Sequence, residues 1–405
     1  MLPYYITFFL SCLFCLFGEN YMPKEYAPVS CVGEHMNTLD GGKHKRGLLK
    51  HRVSNLKLYH ICFFISVLLV SLLAGMRDYT VGTDIKSYGN PLFYYASQYR
   101  PFTVYVDRFS HIEPLYLGLV YFSSYFSDEP HILYFFTGIL IYSLLLAGFL
   151  KFRKYISITL AWFGFLCLLY GDTYNAMRQS IAIAIGFWAF FFFIEKKYIL
   201  FSAGLVVGFL FHNTVIIYCV VALIYYVLKK NNSFAVKGLL VIGATVGLVM
   251  FNKILELLIG SGLLQEKMER YLIGQSTGLS VLAILIRIPF IALILMQKHR
   301  FWNQEYPERG VSAFNDENEG DFYIVTLFIE MFTVEMSAFV PSLYRISLFF
   351  IPFRCLAYSR ICAVQSKKDR TAYSFILIIY LLIIFIYQNQ FKGNNEIYPY
   401  IFGEF

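Results

Sequence analysis

The chain has 405 residues, of which 58% are hydrophobic and 15% charged, and it carries a net charge of +8. A soluble domain of this size would carry about 25% charged residues, so a water-soluble globular fold is excluded. Repeated apolar runs close to the ~20 residues that span a hydrocarbon core point to an all-α, polytopic integral membrane protein. The ~10-residue alternating segments of an outer-membrane barrel are absent.

The first run covers residues 2–18 and lacks a basic leader and a small-residue cleavage site, so it reads as a retained helix. Residues 19–57 are polar and carry Lys24, Lys43, Lys45, Arg46, Lys50, Arg52 and Lys57, which places them on the cytoplasmic side. This divides the chain into 1–57, a first transmembrane helix with a basic segment, and 58–405, a polytopic membrane catalytic domain. The basic segment reads as a spacer or as a contact for partners in an assembly system. The run 58–76 then crosses outward and delivers GMRDYTVGTDIKSYG (75–89) to the outer face.

Further runs fall at 131–150, 156–171, 174–194, 198–211, 213–228, 235–251, 278–296, 322–340, 342–361 and 371–388. The topology thus has about twelve crossings with both termini outside. The apolar stretch 114–126 is too short to cross and is predicted as a re-entrant or interfacial helix. Inside segments hold fifteen lysines and six arginines, whereas outside segments hold four lysines and six arginines. Arginine gains where a planar fork could grip phosphate or carboxylate oxygens.

The string GDTYNAMRQSIAIAIGF opens the run at 174, with Asp172 or Thr173 as its expected cap. Asn175, Arg178 and Gln179 share a face at that helix N-terminus, where the dipole favours an anion. Arg178 either binds such an anion or pairs with Asp172 or a loop acid. His212 lies at the tip of a hairpin spanning 198–228, in a structural or a functional role. Glu113 opens the short 114–126 segment, Arg345 heads the run near 342, and the tail returns Tyr400 to the outer face. Arg287 sits mid-helix at the depth of Glu330 and is expected to pair with it. The scattered cysteines, including the lone Cys12–Cys15 pair, form no metal or redox motif. With no phosphate loop, HExxH or GxSxG, no cofactor or metal is expected, and no nucleic-acid partner.

RDYTVGTD with Tyr88, EPLY (113–116), NAMRQSIA (175–182), FHNTVI (211–216), LYRISLFF (343–350) and YPY (398–400) occur in an order that resembles the EpsG family of Wzy-like polysaccharide polymerases. Leu115 stands where a glycine is common. The resemblance implies a bacterial cytoplasmic-membrane enzyme of exopolysaccharide, capsule or O-antigen biosynthesis. Its substrate would be an undecaprenyl-pyrophosphate-linked oligosaccharide, handled beside flippase and chain-length regulator proteins. It further implies substrate binding by Arg77, Asp78, Tyr88, Tyr116, Asn175, Arg178, Gln179, Arg345 and Tyr400. A hydroxyl of one chain would attack the anomeric carbon of another, with His212, Glu113 or Asp84 as base; His212 needs the least pKa tuning near neutrality. A glycan ligase would use the same donor site. A flippase would want a charged path through the mid-membrane.

Overall fold

The structure, a computed structural model, describes residues 1–22, 45–98, 101–231, 233–258, 281–302, 318–338 and 342–403. Most of the basic linker 19–57, the loops carrying Arg100, Lys267 and Arg270, and residues 303–317 lie outside them. Among the described residues the chain is helical, and the only β-type pairing is an isolated bridge between Arg77 and Phe402. The chain divides into two compact units, Met1–Phe191 with Ile199–Val215 and Tyr358–Phe405, and Phe192–Tyr198 with Ile216–Ala357.

In the first unit, α1 (Leu2–Tyr21) lies along α2 (Lys45–Gly75). Two serines clasp them. Ser11 Oγ donates to the Ser66 carbonyl and Ser66 Oγ to the Ser11 carbonyl, each at 2.8 Å. Both hydroxyl protons thus meet acceptors where lipid offers none. Short helices α3 (Asn90–Gln98), α4 (Phe102–Arg108) and α5 (Pro114–Ser123) follow, then the long α6 (His131–Lys151). The ten residues of α5 rise only about 15 Å, in keeping with a segment that does not cross. Helix α7 (Ile158–Leu168) places Trp162 Nε1 on Ser11 Oγ at 2.9 Å. Its first turn rests on the Glu19 carboxylate, which accepts from Ile158 N (3.1 Å), Thr159 N (3.0 Å) and Thr159 Oγ1 (2.7 Å). Next come α8 (Met177–Ile194) and α9 (Tyr198–Phe211).

The second unit holds α10 (Ile217–Lys230), α11 (Phe234–Leu258), α12 (Val281–Trp302), α13 (Glu319–Met336), α14 (Ser342–Ser347) and the start of α15 (Ile351–Ala363). The rest of α15 and α16 (Lys367–Ile386) belong to the first unit. The expected ion pair is present, with Arg287 Nη2 at 2.8 Å from Glu330 Oε1. A second cation joins it, since Arg354 Nη1 meets the same oxygen at 3.0 Å. Lys237 pairs with buried Asp321 at 2.8 Å.

Among the described residues seven helical stretches are long and apolar enough to cross a membrane: Leu2–Tyr21, Leu58–Gly75, His131–Lys151, Met177–Ile194, Asn213–Lys230, Leu343–Ala363 and Lys367–Phe391. The other five runs read as crossings are helical over most of their described residues. The apolar parts of α7, α9, α11 and α12 are shorter. Helix α13 buries four carboxylates, Glu319, Asp321, Glu330 and Glu335, within eighteen residues.

Glu330 bridges two guanidiniums, so its removal takes a carboxylate from both, while loss of Arg287 leaves Glu330 with Arg354. In detergent unfolding, Glu330→Ala is expected to cost roughly 3–5 kcal/mol and Arg287→Ala clearly less. Equal losses would show that the three charges do not act as one unit.

Candidate functional site

The site grows from the loop that leaves α2. Arg77 turns back into the first unit, where it is 2% exposed. Its guanidinium lies 3.8 Å from the Tyr174 ring centroid and 4.8 Å from that of Tyr134, a cation held by aromatic faces. The backbone around it is strapped by the chain's later residues. Asp78 N donates to Ile401 O and Gly403 N to Met76 O, both at 2.9 Å, and Gly82 N donates to Glu396 O at 3.1 Å. Tyr400 fastens the strap by donating to the Leu73 carbonyl at 2.7 Å.

Asp78 faces outward and accepts from the Thr80 hydroxyl at 2.5 Å and the Thr80 N–H at 2.8 Å. These bonds favour the ion and hold its pKa below the usual carboxylate value. Gly82 turns the loop with φ +97°, and an added Cβ would lie 3.1 Å from Asn175 Oδ1. That same oxygen accepts from Thr83 N at 2.7 Å, and Asn175 Nδ2 donates to the Asn395 carbonyl. Asn175 therefore joins the loop, the approach to α8 and the strap.

The start of α8 differs from the expected one. Residues Gly171–Tyr174 form a 3-10 turn, and the α-helix begins at Met177. The Thr173 hydroxyl donates to the Tyr170 carbonyl at 2.7 Å, and the Asp172 backbone carbonyl accepts from Ala176 N. The Met177 N–H instead donates to Asp84 Oδ2 at 3.2 Å, across 93 positions of sequence. The Tyr88 hydroxyl donates to the same oxygen. Burial and the adjacent Asp84 carboxylate raise the Tyr88 pKa, so it remains the donor.

Arg178, one residue into α8, forms an ion pair with Glu113, the N-cap residue of α5; both side chains are 18% exposed. Its guanidinium also lies 4.7 Å from the Tyr88 ring centroid. The Tyr116 ring meets Tyr88 edge-on at 5.9 Å. Arg178 Nε and the Tyr116 hydroxyl have no hydrogen-bond partner, so two donors flank one tyrosine. Asp84, Tyr88, Glu113, Tyr116 and Arg178 are thus joined by direct contacts within one unit, which also holds Arg77 and Asn175. Gln179 is buried beside Arg178 in the first turn of α8.

His212 occupies the turn after α9, as the hairpin reading expected. Its Nδ1 is 2.7 Å from Thr214 Oγ1 and accepts from Thr214 N at 3.3 Å, which puts the neutral ring's proton on Nε2. Arg345 lies half-buried on α14 of the second unit. Sequence reasoning missed His131, whose Nδ1–H donates to the Gly75 carbonyl at 2.8 Å and whose ring stacks on Tyr79 at 4.6 Å. It also missed Tyr134. Both sit in the first turn of α6, and their spacing of three was the available signal. Among the described residues no three His, Cys, Asp or Glu side chains converge to hold a metal ion.

Two outcomes follow. Asn175→Ala is expected to speed hydrogen exchange at the Thr83 amide while leaving the Ser11–Ser66 clasp protected; unchanged exchange would detach Asn175 from the loop. The depressed Asp78 pKa contributes stability that is complete above the unfolded value of about 3.9 and is lost as pH falls through the lower folded value. Asp78→Asn should therefore flatten the acid side of the melting-temperature profile.

No curated protein and no solved structure matches this chain. The EpsG family model matches residues 60–402. That match runs from within α2, through the loop and the paired carboxylates and arginines, to the strap that closes over them: the chain belongs to the EpsG family.

Proposed function

We propose that this protein polymerises undecaprenyl-pyrophosphate-linked oligosaccharide repeat units by glycosyl transfer at the outer face of a bacterial cytoplasmic membrane. In this reading it crosses the bilayer twelve times, works without a metal and serves exopolysaccharide, capsule or O-antigen assembly beside a flippase and a chain-length regulator. Family membership supports the polymerase theme. The observation that carries the chemistry is Arg178, near a helix N-terminus, paired with Glu113 and retaining an unpartnered Nε–H beside the Tyr116 hydroxyl.

A pyrophosphate arriving at this point meets a guanidinium fork, helix N–H groups and a tyrosine hydroxyl. The phosphate oxygens compete with Glu113 for Arg178. Glu113, released from Arg178, is left with an open carboxylate oxygen. An acceptor hydroxyl then attacks the anomeric carbon of the donor sugar, and Glu113 takes its proton. The bond from the anomeric carbon to the phosphate oxygen breaks, and undecaprenyl pyrophosphate leaves with the electron pair. Arg178 stabilises the charge gathering there. Asp84 keeps the first turn of α8 and Tyr88 in register, and Asn175 does so for the loop. Arg77, enclosed by rings, holds a positive field beneath the site. His212, with its proton on Nε2, serves as a donor toward substrate rather than as the base.

The test compares lipid-linked glycans in cells carrying wild type, a deletion, Arg178→Ala and Glu113→Gln at matched expression. Polymer is expected to fall roughly 100-fold in Arg178→Ala, with single repeat units accumulating at the outer face in every defective strain. Arg178→Lys should restore little, because lysine lacks the fork. Accumulation at the inner face would replace the polymerase with a flippase. Polymer made but not transferred to its final acceptor would indicate a ligase.

A further inference from the structure

A cavity of about 170 Å³ lies in the second unit, where the end of α8 turns toward α9 beside the end of α10. Lys196, Lys229 and Lys230 line it together with Tyr198, Tyr225, Tyr226, Phe193 and Ile194. Among the described residues no carboxylate lines it. The nearby Glu195 pairs with Lys197 at 2.7 Å, a lysine that does not face the cavity. Three positive charges therefore surround a small space. Lys196 reaches its place through a left-handed φ of +60°, a backbone conformation that L side chains seldom adopt. Lys229 Nζ lies 5.8 Å from the Tyr225 ring centroid, and Lys196, Lys229 and Lys230 are all exposed.

An apolar track leads to this charge. Along α10 and the turn before it, Ile216, Cys219, Leu223, Tyr226 and Lys230 follow one another at alternating steps of three and four, and every one is exposed. The fourteen steps from Ile216 to Lys230 rise about 21 Å, more than the roughly 15 Å depth of one leaflet. The stripe is thus apolar over a leaflet's depth, aromatic near its end, and cationic at the cavity.

We infer that this cavity binds the phosphate headgroup of an anionic phospholipid, with an acyl chain lying along the Ile216–Tyr226 stripe. Lysines give a phosphate point charges, and the tyrosine rings sit at headgroup level as amphipathic side chains do. The track is what selects a lipid over a free phosphate, because a free anion has no use for it. The site lies at the end of the helices that carries basic residues, away from the Arg178–Glu113 pair in sequence and in unit, and it does not depend on the polymerase reading.

The test is native mass spectrometry of the full chain in zwitterionic detergent, titrated with phosphatidylglycerol, phosphatidylcholine or inorganic phosphate. Wild type is expected to prefer phosphatidylglycerol over phosphatidylcholine by at least about tenfold. The triple variant K196Q/K229Q/K230Q should lose that preference, while K367Q/K368Q, which neutralises exposed lysines on α16, should keep it. Should the triple variant not elute as a folded protein, K229Q/K230Q decides, with an expected drop of at least about threefold. A triple variant that binds like wild type, or a wild type indifferent to headgroup, overturns the proposal. Complete displacement of phosphatidylglycerol by millimolar phosphate also overturns it, in favour of a free-anion site.

Discussion

The carboxylate of Asp84 holds the loop after α2 to the first turn of α8, and the arrangement around the site depends on that tie. One of its oxygens accepts from a backbone N–H that begins a helix and from the hydroxyl of Tyr88. The first contact fixes where α8 starts and hence where Arg178 stands. The second fixes the ring against which Arg178 and Tyr116 both rest. A cap brought from a distant loop makes helix and loop one unit, so neither can be repositioned alone. Asn175 repeats the device a few residues away.

The two arginines nearest this tie are used differently, and the surroundings explain why. Arg77 is sealed between Tyr134 and Tyr174, where aromatic faces offset part of the cost of withdrawing a charge from water. A guanidinium so enclosed acts through its field. Arg178 remains partly exposed and is held by a single carboxylate, a partner that an incoming anion can displace. The Arg287–Glu330–Arg354 group in the second unit is a third solution, in which one carboxylate serves two cations.

Much of this was legible in the sequence, and what was missed shares a physical character. The class of protein, the short helix after Pro114, the loop at 75–89 and the Arg287–Glu330 pair follow from hydropathy and from the cost of lone charges in lipid. Local spacing placed Asn175, Arg178 and Gln179 on one helical turn. It looked for the cap at Asp172 or Thr173 and did not foresee that Asp84, 93 positions away, accepts from the first N–H of α8. Arg354 escaped because Glu330 was matched to a single cation at its depth, although the second lies in the very next run. Helix α13 read as an ordinary crossing over 322–340, a run that holds Glu330 and Glu335 and leaves out Glu319 and Asp321. The tautomer of His212 depends on a hydrogen bond within its own turn, which periodicity does not report.

The strap over Arg77 also bears on how the molecule is made. Tyr400 and the carbonyl it grips are separated by 327 positions, and the residues pairing with Met76, Asp78 and Gly82 come after α16. A membrane protein is threaded into the bilayer as the ribosome releases it, so α2 and its loop are in place long before their fastening exists. Until residues 396–403 emerge, the backbone groups that flank Arg77 have no partners and the loop is not closed. The finished site is therefore a checkpoint of synthesis: a nascent or prematurely terminated chain carries the chemistry-bearing residues of this loop without the geometry that arranges them.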